Sequence, residues 1–314
     1  MLFIFIIVLV LAIAVIASVY ISFRITCVRK NPSDVTENTI MKNPAYDSYR
    51  ERFIKEGKRF SDMEKTPVYI RSREGMLLHA DVIKKGGKRV LILMHGYRSS
   101  PKSDFSVALG FYESLGFNII LPDQRAHGKS DGRYITFGNL EKDDCLLWIE
   151  EAIKIFGEDC EIVLGGISMG ASTVLFTAGC ELPENVKAIV ADCGFYDGLS
   201  IVRATAKSMS RYIPYCLVTA VNFCCRILAG FDLRDSDAFT SLKNTKLPIL
   251  FIHGSADKFV PAEMTVRAFE DYGGEKELLI VPSASHGMSF LVEEERYKAT
   301  LSAFLNKHLK GDNE

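Results

Sequence analysis

Glu161-Ile162-Val163-Leu164-Gly165-Gly166-Ile167-Ser168-Met169-Gly170 joins an apolar run to a stretch, Ala171 to Ala178, with helical spacing. A Gly-x-Ser-x-Gly pentapeptide by itself says little. A strand directly before it and a helix directly after it are the context that gives it meaning. A serine at such a junction sits on a sharp, strained turn, and small flanking residues let strand and helix approach where a larger side chain would collide. Ser168 is therefore expected to be lifted out of a sheet at a helix start, where free N–H groups face any anion that forms. A Gly-rich turn with an incidental serine is the bland alternative.

Outward from that junction, short β-rich runs alternate with longer helical patterns. The runs are Val68 to Arg71, Leu77 to Ile83, Arg89 to Met94, Asn118 to Leu121, Glu161 to Gly165, Lys187 to Ala191, Pro248 to Ile252 and Glu277 to Val281. Helical patterns begin near Lys102, Gly138, Ser168, Pro261 and Leu291. Near-continuous apolarity, as in residues 90–94 and 162–164, means burial on both faces. Strand, helix, strand in alternation predicts an α/β chain whose parallel sheet is covered by helices on both sides. Between Phe195 and Lys246 about fifty residues pass without a strand. Ile201, Val202, Ala206 and Met209 share one helical face there, and Tyr212 to Phe231 carries Arg226 as its one charge. A second membrane span is poorly served by Pro214, Asn222, Arg226 and Gly230, so an insertion folded over the carboxyl edge of the sheet is expected.

The chain has 314 residues, 48% of them apolar and 25% charged, with 38 Lys and Arg against 39 Asp and Glu. That balance excludes a disordered chain, a disulfide miniprotein and a strongly basic nucleic-acid binder. Met1 to Phe23 holds no charged side chain. At roughly 1.5 Å per residue it spans the roughly 30 Å of a bilayer's hydrocarbon. A cleaved signal peptide wants a basic leading segment and a shorter apolar stretch. No Lys or Arg precedes the run, so an uncleaved single-pass anchor is expected. Arg24, Arg29 and Lys30 follow it, which by the positive-inside rule places the body on the cytoplasmic face. Eight cysteines without metal-ligand spacing, most of them in apolar segments, suit a reducing compartment, although their even number leaves disulfides open. Cys27 stands where a lipid could be attached, but Arg24-Ile25-Thr26 makes no convincing lipoprotein cleavage site. Asn31 to Lys42 reads as linker, and Tyr46, Tyr49, Phe53 and Phe60 recur at the spacing of an amphipathic helix packed on the body or on anionic headgroups.

A serine hydroxyl needs a base within hydrogen-bond reach, itself oriented by an acid. The run Pro248 to Ile252 leads into His253-Gly254-Ser255-Ala256-Asp257, and Glu277 to Val281 leads into Pro282-Ser283-Ala284-Ser285-His286. Ser168, Asp257 and His286 are thus the candidate nucleophile, acid and base, in the chain order of hydrolases. Asp192, at another strand end, is the rival acid, and His95 and His127, each before a glycine in a turn, are rival bases. His79, His253 and His308 read as structural. An acyl transfer would develop charge on a carbonyl oxygen and need two preset donors. The N–H of Met169 follows from its position after the nucleophile, and the N–H of Tyr97 from the turn His95-Gly96-Tyr97-Arg98.

On His95-Gly96, Asp123-Gln124-Arg125-Ala126-His127-Gly128-Lys129-Ser130, Gly166 to Gly170, His253 to Asp257 and Ser285-His286-Gly287, residues 66–310 resemble the α/β-hydrolase superfamily. Within it they resemble the serine aminopeptidase-like and monoacylglycerol lipase-like branch. Related chains often have Gly where Ala126 stands, which touches nothing catalytic. The resemblance implies a mostly parallel eight-stranded sheet with a helical lid inserted between strands 6 and 7. It divides the chain into an anchor (1–23), a linker and amphipathic helix (24–65), a first core segment (66–195), the lid (196–246) and a second core segment (247–314). It implies a cofactor-free, metal-free serine hydrolase of small or lipid-like carboxylic esters, with an amino- or peptidase and an acyltransferase using the same triad as alternatives. A catalytically silent binding module is disfavoured by the intact set of three. The apolar lid beside an anchor suggests hydrophobic acyl esters, unless Tyr212 to Phe231 merely packs on the core.

Overall fold

The computed structural model describes residues 1–30 and 44–310, so the linker reading of Asn31 to Lys42 lies outside the described residues. Eight strands form one sheet: β1 (Thr66–Arg71), β2 (Leu77–Ile83), β3 (Arg89–Met94), β4 (Asn118–Asp123), β5 (Glu161–Ile167), β6 (Val186–Asp192), β7 (Ile249–Gly254) and β8 (Lys276–Val281). Their order is β1-β2-β4-β3-β5-β6-β7-β8. From β4 to β8 every pairing is parallel, whereas β2 runs antiparallel to both neighbours. Alternation with helices therefore begins only after β3. The turn between β1 and β2, closed by Ser72 N–H on the Met76 carbonyl at 2.8 Å with Gly75 at φ +84°, is too short for a crossover, so β2 must reverse.

The apolar runs serve two cores at once. Along β3, Val90, Ile92 and Met94 enter one cluster with Trp148 and Phe176, while Leu91 and Leu93 enter the other with Phe105 and Phe304. The first layer is built by the helices Glu141–Phe156 and Met169–Thr177, the second by Pro101–Ser114 and Glu294–His308. Each fully buried side chain of this size contributes roughly 1.5–3 kcal/mol, which holds the sheet between the layers and leaves its carboxyl edge to the loops.

Between β6 and β7 lie the helices Gly198–Met209, Tyr215–Cys224 and Ala238–Lys243, with a π-helical turn at Cys225–Ala229. Asp197 caps the first by accepting from Ser200 N–H at 2.7 Å, and Asp237 caps the last from Thr240 N–H at 2.8 Å. Asn222, the polar residue that spoils a membrane span here, is buried. Its side chain accepts from Leu233 N–H at 2.8 Å and donates to Asp232 at 2.9 Å, tying the helix Tyr215–Cys224 to the loop that follows the π-helical turn.

The helix Leu2–Cys27 is long and apolar enough to cross a membrane. It is exposed along its first turns, but Phe23 and Cys27 are buried in the body. Ile135 N–H donates to the Cys27 carbonyl at 2.7 Å, and Arg29 N–H to the Arg133 carbonyl at 2.8 Å. The Arg29 guanidinium, read from sequence as a flanking charge, also donates to the Ser130 and Gly128 carbonyls at 2.5 and 2.6 Å. The helix Arg50–Asp62 packs on the body: Phe60 is buried, and Arg52 grips Glu294 through two hydrogen bonds, at 2.5 and 2.9 Å.

Candidate active site

Ser168 stands between β5 and the helix Met169–Thr177 with φ 56° and ψ −118°, a conformation costly for any residue with a side chain. Close approach enforces it. A Cβ on Gly166 would lie 2.3 Å from the Gly170 carbonyl carbon, and one on Gly170 would lie 1.8 Å from the Met94 carbonyl oxygen. Both outer positions of the pentapeptide therefore exclude every residue but glycine, and the turn between them holds the Ser168 side chain clear of the sheet.

His286 Nε2 lies 2.9 Å from Ser168 Oγ, and His286 Nδ1 lies 2.6 Å from Asp257 Oδ2. A carboxylate only accepts, so the proton rests on Nδ1 and the Nε2 lone pair is free for the serine hydroxyl. Asp257 Oδ1 accepts from the N–H groups of Phe259 and Val260 at 2.8 and 2.9 Å. Burial pushes the Asp257 carboxyl up, but the hydrogen bonds from His253 and His286, with Val260 N–H behind them, outweigh it and hold the group well below the usual carboxylate range. The loops after β7 and β8 fix each other: Ser283 N–H donates to Ser255 Oγ at 3.0 Å and Ala256 N–H to the Ala284 carbonyl at 2.9 Å.

Asp192 is not the partner of His286. Its main-chain carbonyl accepts from Ser168 N–H at 2.8 Å, and its carboxyl accepts from Ser289 Oγ at 3.2 Å. Burial, opposed by the nearby His253, pushes that carboxyl up to about 6. His95 and His127 tie loops together: His95 Nε2 accepts from Gln124 N–H at 3.1 Å, and His127 Nε2 from Arg98 N–H at 2.9 Å. Burial and the neighbouring His95 hold His127 down at about 3. His79 pairs with Asp123 at 2.9 Å, and His308 packs on Phe304.

Two residues at the site escaped the sequence reading. His253, which read as structural, carries its proton on Nε2, since that nitrogen faces the Val260 carbonyl at 3.0 Å, and the same nitrogen lies 3.2 Å from Asp257 Oδ2. It holds the Asp257 carboxylate from behind. Three residues separate the two in sequence, but only the turn at 254–256 folds one onto the other. Cys193, in the left-handed region at φ 49°, places its Sγ among Asp257 and His286, in an arrangement that three metal ligands could share. Burial pushes this thiol well up, and the carboxylate and imidazole beside it are already joined to each other.

The loop after β3 passes against Ser168. A Cβ on Gly96 would lie 3.3 Å from the Ser168 Cβ and 3.2 Å from Asp104 Oδ2. Asp104 holds this loop by accepting from Gly96 N–H at 2.6 Å and Ser99 Oγ at 2.5 Å. Tyr97 and Met169, the residues expected to supply two N–H donors, thus belong to two segments that meet at the serine. Two cavities also meet there. One, of about 220 Å³, lies between the loop and Asp104, Asp192 and Tyr46; the other, of about 270 Å³, runs under the helices that follow β6.

Residues 89–216 match the model of a family described by its alpha/beta hydrolase fold. The Bacillus subtilis (strain 168) protein YqkD is 27% identical over 254 residues, 79% of this chain and 81% of its own. The Pyrococcus furiosus esterase Pf2001 superposes with a TM-score of 0.66 at 24% identity, covering 81% of this chain and 94% of its own. An esterase from Exiguobacterium antarcticum does so with a TM-score of 0.57 at 19% identity over 76% and 99%. The chain has the α/β-hydrolase fold. In this fold the strand-to-helix turn, the loops after β7 and β8 and the loop after β3 all lie at the carboxyl edge of the sheet, where ligands of open α/β folds bind.

Proposed function

We propose that the chain is a serine hydrolase of carboxylic esters with apolar acyl groups. The observation that carries this is the unbroken hydrogen-bonded series Ser168–His286–Asp257 on a strained turn. Ser168 Oγ attacks the ester carbonyl as its proton passes to His286 Nε2, and the imidazolium so formed is stabilised by the ionised Asp257. The carbonyl oxygen takes up the negative charge against the N–H groups of Met169 and Tyr97. Collapse expels the alcohol, which leaves with the proton from Nε2, and the acyl group stays on Ser168. Water then attacks the acyl carbon as its proton passes to the same nitrogen, and the acid leaves as that proton returns to Ser168 Oγ.

The apolar cavity supports the hydrophobic substrate, because it reaches Ser168 from beneath residues 196–246, which serve as the lid in this reading. The helix Leu2–Cys27 serves as a single-pass anchor, supported by its length and exposure, and Arg24, Arg29 and Lys30 behind it favour a cytoplasmic body. The test is a panel of p-nitrophenyl esters of increasing chain length beside aminoacyl-naphthylamides, with a fluorophosphonate probe. Ester turnover and labelling that both vanish in Ser168→Ala are expected; labelling that persists would mean another nucleophile.

A further inference from the structure

The cavity of about 270 Å³ has an unexpected wall. Beside Ile201, Val202 and Val218 from the segment after β6, it is lined by Ser22, Ile25 and Thr26 from the N-terminal helix. Ser22 and Thr26 are one turn apart on a single face and half-buried, while Ile25 is 59% exposed and stands at the mouth together with Met209 at 74%.

This wall is fixed in place. The last carbonyls of a helix have no partner within it. Here Tyr97 Oη donates to the Thr26 carbonyl at 2.7 Å, and the Arg98 guanidinium donates to the carbonyls of Ile25 and Val28. Phe23 and Cys27, on the side turned to the body, are buried, and Cys27 Sγ lies 3.5 Å from Cys225 Sγ, so the helix end is also seated on the segment that covers the cavity. The mouth residues Ile25 and Met209 are apolar and adjoin the exposed turns of a helix able to cross a bilayer, and Tyr212 and Tyr215 add exposed aromatic surface beside them. A mouth of this composition opens onto hydrocarbon at no desolvation cost to an acyl chain.

We propose that the last two turns of the helix Leu2–Cys27 are a wall of the acyl-binding pocket, so that one segment both anchors the protein in lipid and holds the apolar group of its substrate. The ligand class is an ester with a single extended acyl chain that enters from the lipid side, its carbonyl at Ser168 and its tail between Ser22, Thr26 and Val202. This rests on the serine-hydrolase reading above. Its own content is that chain-length preference resides partly in the anchor.

The experiment uses the full chain in detergent micelles and reads the ratio of kcat/KM for p-nitrophenyl decanoate to that for the acetate. Ile25→Trp and Ser22→Trp, which fill the mouth and the wall, are expected to lower that ratio at least tenfold. Ile16→Trp, two and a half turns before Ile25 and on the opposite, exposed face of the same helix, keeps the wild-type ratio. If either filling variant loses its near-ultraviolet circular dichroism, Ile25→Ala and Thr26→Ala decide, since they widen the pocket and must move the preferred acyl length upward. An unmoved ratio and an unmoved preference, in a wild type that hydrolyses these esters, overturn the proposal. A wild type without Ser168-dependent turnover instead overturns the hydrolase reading beneath it.

Discussion

Tyr97 Oη donates to the carbonyl oxygen of Thr26 at 2.7 Å, and so fastens the loop beside Ser168 to the end of a helix that begins at residue 2. Tyr97→Phe removes the donor but keeps the ring, which stacks on Phe137 at 5.4 Å between centroids. Its N–H then sits on a looser loop. The expected result is a kcat for p-nitrophenyl acetate lowered about tenfold, because small displacements of a catalytic group are costly, with KM nearly unchanged. Stability should fall by about 1 kcal/mol, the usual worth of one hydrogen bond, as a urea titration would report.

His286→Ala and Asp257→Asn should each lower ester kcat by about ten-thousandfold, as in other triads. Asp192→Asn should cost much less, since its carboxyl bonds Ser289 and not the imidazole. Steady-state kinetics on the three variants decide. A more severe effect at Asp192 would mean that the acid is misassigned.

Replacing His253 by Gln tests the group behind the acid. Gln, flexible and without a ring, loses the fit between Val260 and Thr265, 3.0 and 2.7 Å away, and with it the donor held in place against Asp257. A fall in kcat of about tenfold is expected, because the carboxylate beside the imidazole is less firmly placed. An unchanged kcat would leave His253 with a packing role alone.

Gly170→Ala should abolish soluble folded protein. Its Cβ would stand 1.8 Å from the Met94 carbonyl oxygen, and backbone on both sides has nowhere to go. A loss of about 4 kcal/mol or more is expected, a large part of the stability of an ordinary domain. Expression followed by size-exclusion chromatography is the check.

Stability should also depend on pH through His79, which is buried and lies 2.9 Å from Asp123. Burial pushes the imidazole down, but its hydrogen bonds to the Asp123 and Asp81 carboxylates push it further up, to about 8 from 6.5. A raised value means that the folded state binds the proton more tightly. The contribution, about 2 kcal/mol, is complete below pH 6.5 and is lost as pH rises through about 8. Calorimetry at pH 6 and pH 9 should show the midpoint falling with pH, and His79→Gln should flatten that part of the slope.

The sheet was legible because burial on two faces leaves a pattern in the chain. The runs at Val90 to Met94 and Ile162 to Leu164 are apolar at every position, since odd and even residues face different cores. The reversal of β2 was not legible, because a hairpin and a crossover differ in what joins the strands, and the composition of β2 itself is the same in both. Strand ends drifted for a related reason. Asp123, Asp192 and Gly254 complete β4, β6 and β7 with residues whose propensity is against strands, held there by pairing with neighbours.

The local pattern belonged to the sequence alone: a serine between two glycines at a strand-to-helix junction, with Asp257 and His286 each in a loop after a strand. Such information is short-range, because a turn's sterics and a strand's period are written within a few residues. What only the tertiary structure decided was adjacency. It put Asp257 rather than Asp192 on His286, set His253 and Cys193 behind them, and brought Ser22, Ile25 and Thr26 to the cavity beside Ser168. These contacts join segments up to 146 positions apart, from Ser22 to Ser168, and depend on how loops and a helix end pack. No local pattern records that packing, because each residue meets its partner only once the sheet between them has formed.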